Sequence, residues 1–172
     1  MVAGDRRLEP GTGEKGGSQT GPSPVDRGRP GSKYHLLVDG SGLPLAFSLT
    51  GGNRNDVTQL IPLVDSVPPV RGLAGRPKRR PGCVIADRGY DHDKYRRGLR
   101  ERGIEPVIAR RNSEHGSGLG HYRWVVERTF AWLRNFKRLL VRFERRGDNA
   151  RGAARPGLLP RLLPTAQELK LK

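Results

Sequence analysis

Two carboxylates stand out for the places they occupy. Asp87 ends the apolar run "CVIA" (Cys83 to Ala86), and Glu127 lies inside "HYRWVVERTFAWLRNFKRLL", with Arg123 four residues before it and Arg134 seven after. Carboxylates at a strand end and on a later helix can converge on hard cations, because Mg2+ takes oxygen ligands and keeps waters. Two such ions activate a water or a 3′-hydroxyl on one side of a phosphodiester and steady the leaving oxygen on the other. Each residue also has a plainer reading. Asp87 before "RG" suits an Asx turn, and Glu127 suits an i,i+4 ion pair with Arg123 on a helix surface.

The charge balance says what the surroundings of such a pair would hold. The 172 residues carry 33 Lys and Arg against 17 Asp and Glu, a formal net charge of +16. That excess points to a polyanion, nucleic acid first. Basic runs recur at residues 76–80, 96–102 and 134–146. Lys78, Arg79, Arg80, Arg123, Arg134, Lys137 and Arg138 are the candidate DNA-backbone contacts, which give affinity with little sequence choice. Two readings without chemistry compete: a basic DNA-binding remnant, and a ribosomal-type RNA binder. No helix-turn-helix is readable.

Other polar groups read as structural. Asp91, His92 and Asp93 are consecutive, so they point to different sides of a helix start, and Asp91 is expected to cap it. His35, His115 and His121 share no ligand spacing and are expected at the surface. Trp124 and Trp132 could stack on bases, but their helical spacing favours core packing or shielding of the helix that carries Glu127. The lone cysteine, Cys83, is read as a buried, reduced thiol. No apolar run is long enough to cross a bilayer, and the N-terminus lacks the apolar centre of a signal peptide. The expected location is cytoplasmic and nucleoid-associated.

The elements that must position these groups follow from pattern. Residues 1–32, rich in Gly, Pro and charge, read as a flexible segment. Alternation from Lys33, the turn "DGSG" and a return to Thr50 predict an antiparallel hairpin. Asn55 or Asp56 can cap a helix whose apolar face is Leu60, Leu63 and Val64. A short strand ends at Asp87, a helix with Tyr95 and Leu99 inward runs to Gly103, and Ile104–Arg110 forms another strand. The long helix from His121 buries Val125, Val126, Thr129, Phe130, Trp132, Leu133 and Phe136. Prolines at 156, 160 and 164 forbid a continuous helix in the tail, 147–172. The fold class is α/β, a mixed sheet with flanking helices. Only 34% of residues are hydrophobic, so the core is modest.

Several ordered stretches carry a resemblance: "TGPSPVDRGRPGSKYHLLVDGSGLPLAFSLTGGNRNDVTQL", "VIADRGYDHDKYRR", "PVIARR" and "YRWVVERTFAWLRNFKRLLVRFERR". Together they resemble the catalytic region of insertion-sequence transposases of the IS5 group, within the IS4-like superfamily, over roughly Lys15 to Arg146. The resemblance implies an RNase H-like domain over 33–146 with a DDE triad. Its second Asp falls on Asp87, its Glu on Glu127, and its motif basic residues on Arg123 and Arg134. It implies a two-metal Mg2+ site at Asp87 and Glu127, and DNA transposition by cleavage at transposon ends and 3′-hydroxyl attack on target duplex. It also implies a homo-oligomer, or complementation by the product of an upstream reading frame. The family's first Asp has no clear counterpart. Asp5 lies among charged and turn residues, and Asp39 sits in a hairpin turn. The first strand and the C-terminal helix are therefore expected to be missing, the tail resembling GC-rich codons read out of frame, and the Mg2+ site impaired.

Overall fold

A computed structural model of the chain describes residues 2–7, 19–24, 27–70, 77–78, 80–112 and 119–133. Its centre is the predicted hairpin, β3 (Pro30–Val38) and β4 (Pro44–Gly51), beginning at Pro30 rather than Lys33. They pair antiparallel from Ser32↔Gly51, with an irregularity between Leu37 and Val38. Asp39 makes the turn, as its sequence context predicts. Its Oδ1 accepts from the Ser41 N–H at 2.9 Å, the Ser41 hydroxyl at 2.7 Å and the Leu43 N–H at 2.9 Å.

The largest departure from the sequence reading is at the N-terminus. Residues Val2–Arg7 form β1, inside the expected flexible segment and in a stretch whose residues carry no strand pattern. β1 pairs antiparallel with β3 from Val2↔Val38 to Arg7↔Lys33, and parallel with β5 (Cys83–Ala86) at Val2↔Ile85. A short β2 (Gly21–Pro22) pairs with the start of β3. "VAGDRR" has poor strand propensity, but propensity is a weak term beside cross-strand partners on both edges. β5 pairs parallel with β6 (Glu105–Ile108). The main sheet therefore runs β4-β3-β1-β5-β6, with β1, β5 and β6 parallel to one another and β3 antiparallel to β1 and β4.

Helices cover both faces. On one side Leu37, Ala46, Val84, Ala86 and Ala3 pack with Leu60, Leu63 and Val64 of α1 (Leu60–Asp65) and Leu99 of α2 (Asp93–Arg100). On the other, Leu36 and Val38 pack with Val125, Val126 and Phe130 of α3 (Gly120–Leu133), against partly buried Ile85 and Leu133. This explains why β3 is buried on both faces rather than alternating buried and exposed. Fully burying each Leu or Val contributes about 1.5–3 kcal/mol.

The α1 region matches the reading in its apolar face and differs at its start. Asn55 caps a single 3₁₀ turn, Asp56–Gln59, and the α-helix begins only at Leu60. Pro62 falls in its first turn, where its missing N–H is not needed. α2 closes at Gly103 (φ +71), with the Ile104 N–H donating to the Leu99 carbonyl at 3.0 Å. The expected helix beyond Leu133 and the tail 147–172 lie outside the described residues, as does Phe136.

Candidate active site

Asp87 continues β5 in extended backbone (φ −74, ψ 178). Ile85, two residues earlier, packs in the α3 layer, so strand alternation brings Asp87 out on that same face. Its Oδ1 accepts from the Gly89 N–H at 2.8 Å and caps a 3₁₀ turn, Arg88–Tyr90. A Cβ at Gly89 would stand 2.9 Å from Asp87 Oδ1, so a larger residue there would have to displace the Asp87 carboxylate from this pose. Tyr90 is fully buried and anchors the turn in the core. The Asx-turn role weighed for Asp87 is thus realised, and it engages one carboxylate oxygen.

Glu127 sits on α3 between the buried Val126 and the half-buried Arg128. Arg123 Nε donates to its Oε1 at 2.9 Å, and both side chains are well exposed. The i,i+4 pairing weighed for Glu127 is realised as well. Such an exposed pair contributes at most about 0.5 kcal/mol. Glu127→Gln is therefore expected to leave the urea midpoint almost unchanged. A large loss of stability in that variant would show that Glu127 has a structural duty these contacts do not reveal.

α3 is fastened to the β3–β4 turn. The Thr129 hydroxyl donates to the Gly42 carbonyl at 2.7 Å from a fully buried position, and Arg128 donates to the Ser41 carbonyl. The Arg128 guanidinium lies 4.5 Å from the Trp124 ring centre and 5.0 Å from that of Trp132. Trp124 is 46% exposed and Trp132 half-buried, so of the two expected roles, core packing and shielding of the helix, core packing is not the one these rings take. The arginine between them holds the rings at the surface.

The remaining acids near Asp87 hold the scaffold. Asp91 does not cap α2. His92 does, its Nδ1 accepting from the Lys94 N–H at 3.4 Å. Asp91 is instead drawn into a buried ion pair with Arg96 at 2.7 Å, and Asp93 pairs with Arg110 at 2.7 Å. Arg110 holds the Asp93 carboxyl below the usual carboxylate range. Arg111, on the loop after β6, donates to the carbonyls of Arg88 and Gly89 at 3.2 Å and so braces the turn that Asp87 caps. His35, expected at the surface, is fully buried and hydrogen-bonded to Thr50. Cys83 is half-buried rather than buried and forms no disulfide.

Of the candidate phosphate contacts, Arg123 is exposed on α3, Lys78 is exposed beside an isolated bridge with Val70, and exposed Arg80 donates to the Arg102 carbonyl at 3.3 Å. Arg79, Arg134, Lys137 and Arg138 lie outside the described residues, as does His115. Among the described residues, no three His, Cys, Asp or Glu side chains group to hold a metal ion. Nor is any helix among them long and apolar enough to cross a membrane.

Residues 10–154 match the family described as "Transposase DDE domain". The chain belongs to this DDE transposase family. A protein of Burkholderia cepacia named as a transposase for insertion sequence element IS402 is 65% identical over 133 residues, covering 77% of this chain. The chain spans 63% of that relative's length. No solved structure matches. In this DDE transposase chain the family match starts beyond β1, so it assigns no role to any residue of that strand.

Proposed function

We propose that the chain acts on double-stranded DNA as the catalytic-region portion of an insertion-sequence transposase, with an RNase H-like core over 33–146 joined by β1. The sheet order supports this reading: three antiparallel strands, then two strands parallel to the first. The observation that carries the site is the shared layer. Ile85, two residues before Asp87, packs with buried α3 residues next to Glu127, so the strand end that carries Asp87 and the helix that carries Glu127 lie on one side of the sheet. Arg123, Arg134, Lys137, Arg138, Lys78, Arg79 and Arg80 would hold transposon-end and target phosphates.

The family reading implies Mg2+, but the residues on this face do not complete a site for it. Asp87 is shared with the Gly89 N–H and Glu127 with Arg123, and no third acid joins them among the described residues. A hard cation draws most of its affinity from several oxygen ligands. The chain is therefore read as a DNA binder whose cleavage and strand transfer are weak or lost. That is where the reading meets its alternative, a basic remnant without chemistry.

Fluorescence anisotropy with duplex DNA, across 50 to 200 mM salt, tests the binding. Affinity is expected to fall by roughly 10³-fold if about six phosphates are neutralised. Asp87→Asn should leave affinity equal or raised, since it removes a negative charge, and should abolish whatever Mg2+-dependent nicking the chain shows. Salt-resistant preference for structured RNA over duplex DNA overturns the reading. Robust Mg2+-dependent cutting of terminal inverted repeats overturns the impaired site.

A further inference from the structure

Most arginines among the described residues are engaged by the protein itself. Arg96, Arg102, Arg110 and Arg123 pair with acids, and Arg111 and Arg128 donate to carbonyls. Arg27, Arg29 and Arg54 differ. Their side chains are exposed and meet no acid and no hydrogen-bond acceptor among the described residues. Yet the backbone that carries them is tightly tied. The Gly52 N–H donates to the Gly31 carbonyl at 2.8 Å, joining the chain two residues before Arg54 to the chain two residues after Arg29. The Ser23 N–H donates to the Arg29 carbonyl at 2.9 Å, and the buried Lys33 ammonium donates to the Arg54 carbonyl at 3.0 Å. A Cβ at Gly52 would stand 3.2 Å from the Gly21 oxygen and 3.3 Å from the Gly31 oxygen, so glycine lets three segments close here. Arg27 holds φ +46, a left-handed conformation that is uncommon for a residue other than glycine. Such strain clusters at ligand-binding loops.

The sheet fixes where these arginines stand. β3 is antiparallel to β1 and β4, and β1 is parallel to β5, so the start of β3 and the end of β4 lie at the sheet end where β5 stops at Asp87. Val2 pairs with both Val38 and Ile85, which puts Asp87 level with Leu36. From that level Gly31 is roughly 17 Å further along the strands and about 10 Å to the side. The separation of roughly 20 Å matches about six nucleotides along one strand of a duplex. Lys78 and Arg80 precede β5 and so stand at the opposite end of the sheet.

We propose that Arg27, Arg29 and Arg54 form a phosphate-binding patch for the backbone of duplex DNA, apart from the seven candidate contacts named above. The inference rests on the DNA-binding reading and deepens it with three contacts and their place. Phosphate oxygens take the guanidinium donors that the protein leaves open, and the contacts add affinity without sequence choice.

Duplex affinity of the full chain across 50 to 200 mM salt tests it. Each lost phosphate contact lowers the salt slope by about 0.9. Arg29→Gln with Arg54→Gln is expected to bind more weakly and to shrink the salt-induced fall in affinity from roughly 10³-fold to roughly 10²-fold. Adding Arg27→Gln should shrink it again. Arg97→Gln with Arg100→Gln removes the same charge from the exposed side of α2 and should keep the natural slope. Equal slopes in the two double variants overturn the inference, because net charge alone then explains the effect. If the urea midpoint of the first double variant falls, Arg29→Gln and Arg54→Gln decide singly: each lowers the slope by about one, or the inference fails. A natural chain that ignores duplex DNA fails the DNA-binding reading and takes this inference with it. A natural chain that binds, with a slope indifferent to Arg29 and Arg54, fails this inference alone.

Discussion

Arg96→Ala is expected to lower folding stability by about 3–5 kcal/mol, the usual cost of leaving one member of a buried ion pair alone. Arg96 is almost fully buried within α2, and the Asp91 side chain is 8% exposed. The guanidinium donates to Asp91 Oδ1 and, through Nη2, to the Ile108 carbonyl, each at 2.7 Å. The Arg111 N–H donates to Asp91 Oδ2 at 2.7 Å. One buried knot thus joins the turn after Asp87, helix α2 and the end of β6. Burial alone would raise the Asp91 carboxyl, but the Arg111 N–H and the Arg96 hydrogen bond and charge outweigh it and hold the carboxyl below its usual range. With the folded value depressed, this contribution is present at neutral pH and lost as pH falls through the lowered value.

Removing Arg96 leaves a buried carboxylate without its main partner and the Ile108 carbonyl without its donor. Domains of this size hold about 5–15 kcal/mol in total, so the variant is expected to be partly unfolded at 37 °C. Urea denaturation gives the measurement. Replacing both Arg96 and Asp91 by apolar residues of similar volume should cost far less than either single change, because the penalty lies in the orphaned charge. If Arg96→Ala shifts the midpoint by under 1 kcal/mol equivalent, the pair is more hydrated than its burial indicates.

Much of the fold was legible where pattern and burial agree. The hairpin, the short strand ending at Asp87, and the apolar faces of α1, α2 and α3 all follow from spacing, because each element has a definite inner side. β1 was not legible. "VAGDRR" carries one large apolar residue, and its place comes from pairing with β3 and β5 rather than from its own side chains. Asp91 was misassigned for a similar reason. A capping aspartate and a buried ion-pair aspartate look alike until a distant arginine is brought to it by the helix. The positions of Asp87 and Glu127 were legible as a strand end and a helix, but their turn and ion-pair contacts were equally consistent with the sequence. Trp124 followed helical spacing and still lies outside, because Arg128 offers its ring a cation at the surface.

The chain is also expected to lose about 3 kcal/mol of stability between pH 6.5 and pH 4 through one residue, His35. Its ring is completely buried in β3, with Nε2 2.7 Å from the Thr50 hydroxyl of β4. The Thr50 hydroxyl can donate onward to the Gly51 carbonyl at 3.4 Å, which suits an Nε2–H donor on the histidine. Burial pushes the imidazole from 6.5 down to about 4; the Asp56 carboxylate pulls it back up, and the Lys33 ammonium pushes it further down. Protonation would add a second N–H to a ring whose Nδ1 meets no hydrogen-bond partner among the described residues. The unfolded chain takes up this proton near pH 6.5, and the folded chain only near pH 4. Stability is thus full above the unfolded value, declines through the window, and levels off below the folded value. The span of roughly 2.5 pH units at about 1.36 kcal/mol each sets the size. Asp65, Asp91 and Asp93 have carboxyls held below the ordinary range, so their titration in the folded state lies lower. Urea midpoints at pH 7.5, 6, 5 and 4.5 should fall in step for the natural chain. In His35→Gln, which keeps a hydrogen-bonding side chain but cannot take up a proton, that part of the slope should vanish, even though its stability at pH 7.5 is lower. An unchanged slope in His35→Gln would place the acid sensitivity on other groups and remove His35 from the account.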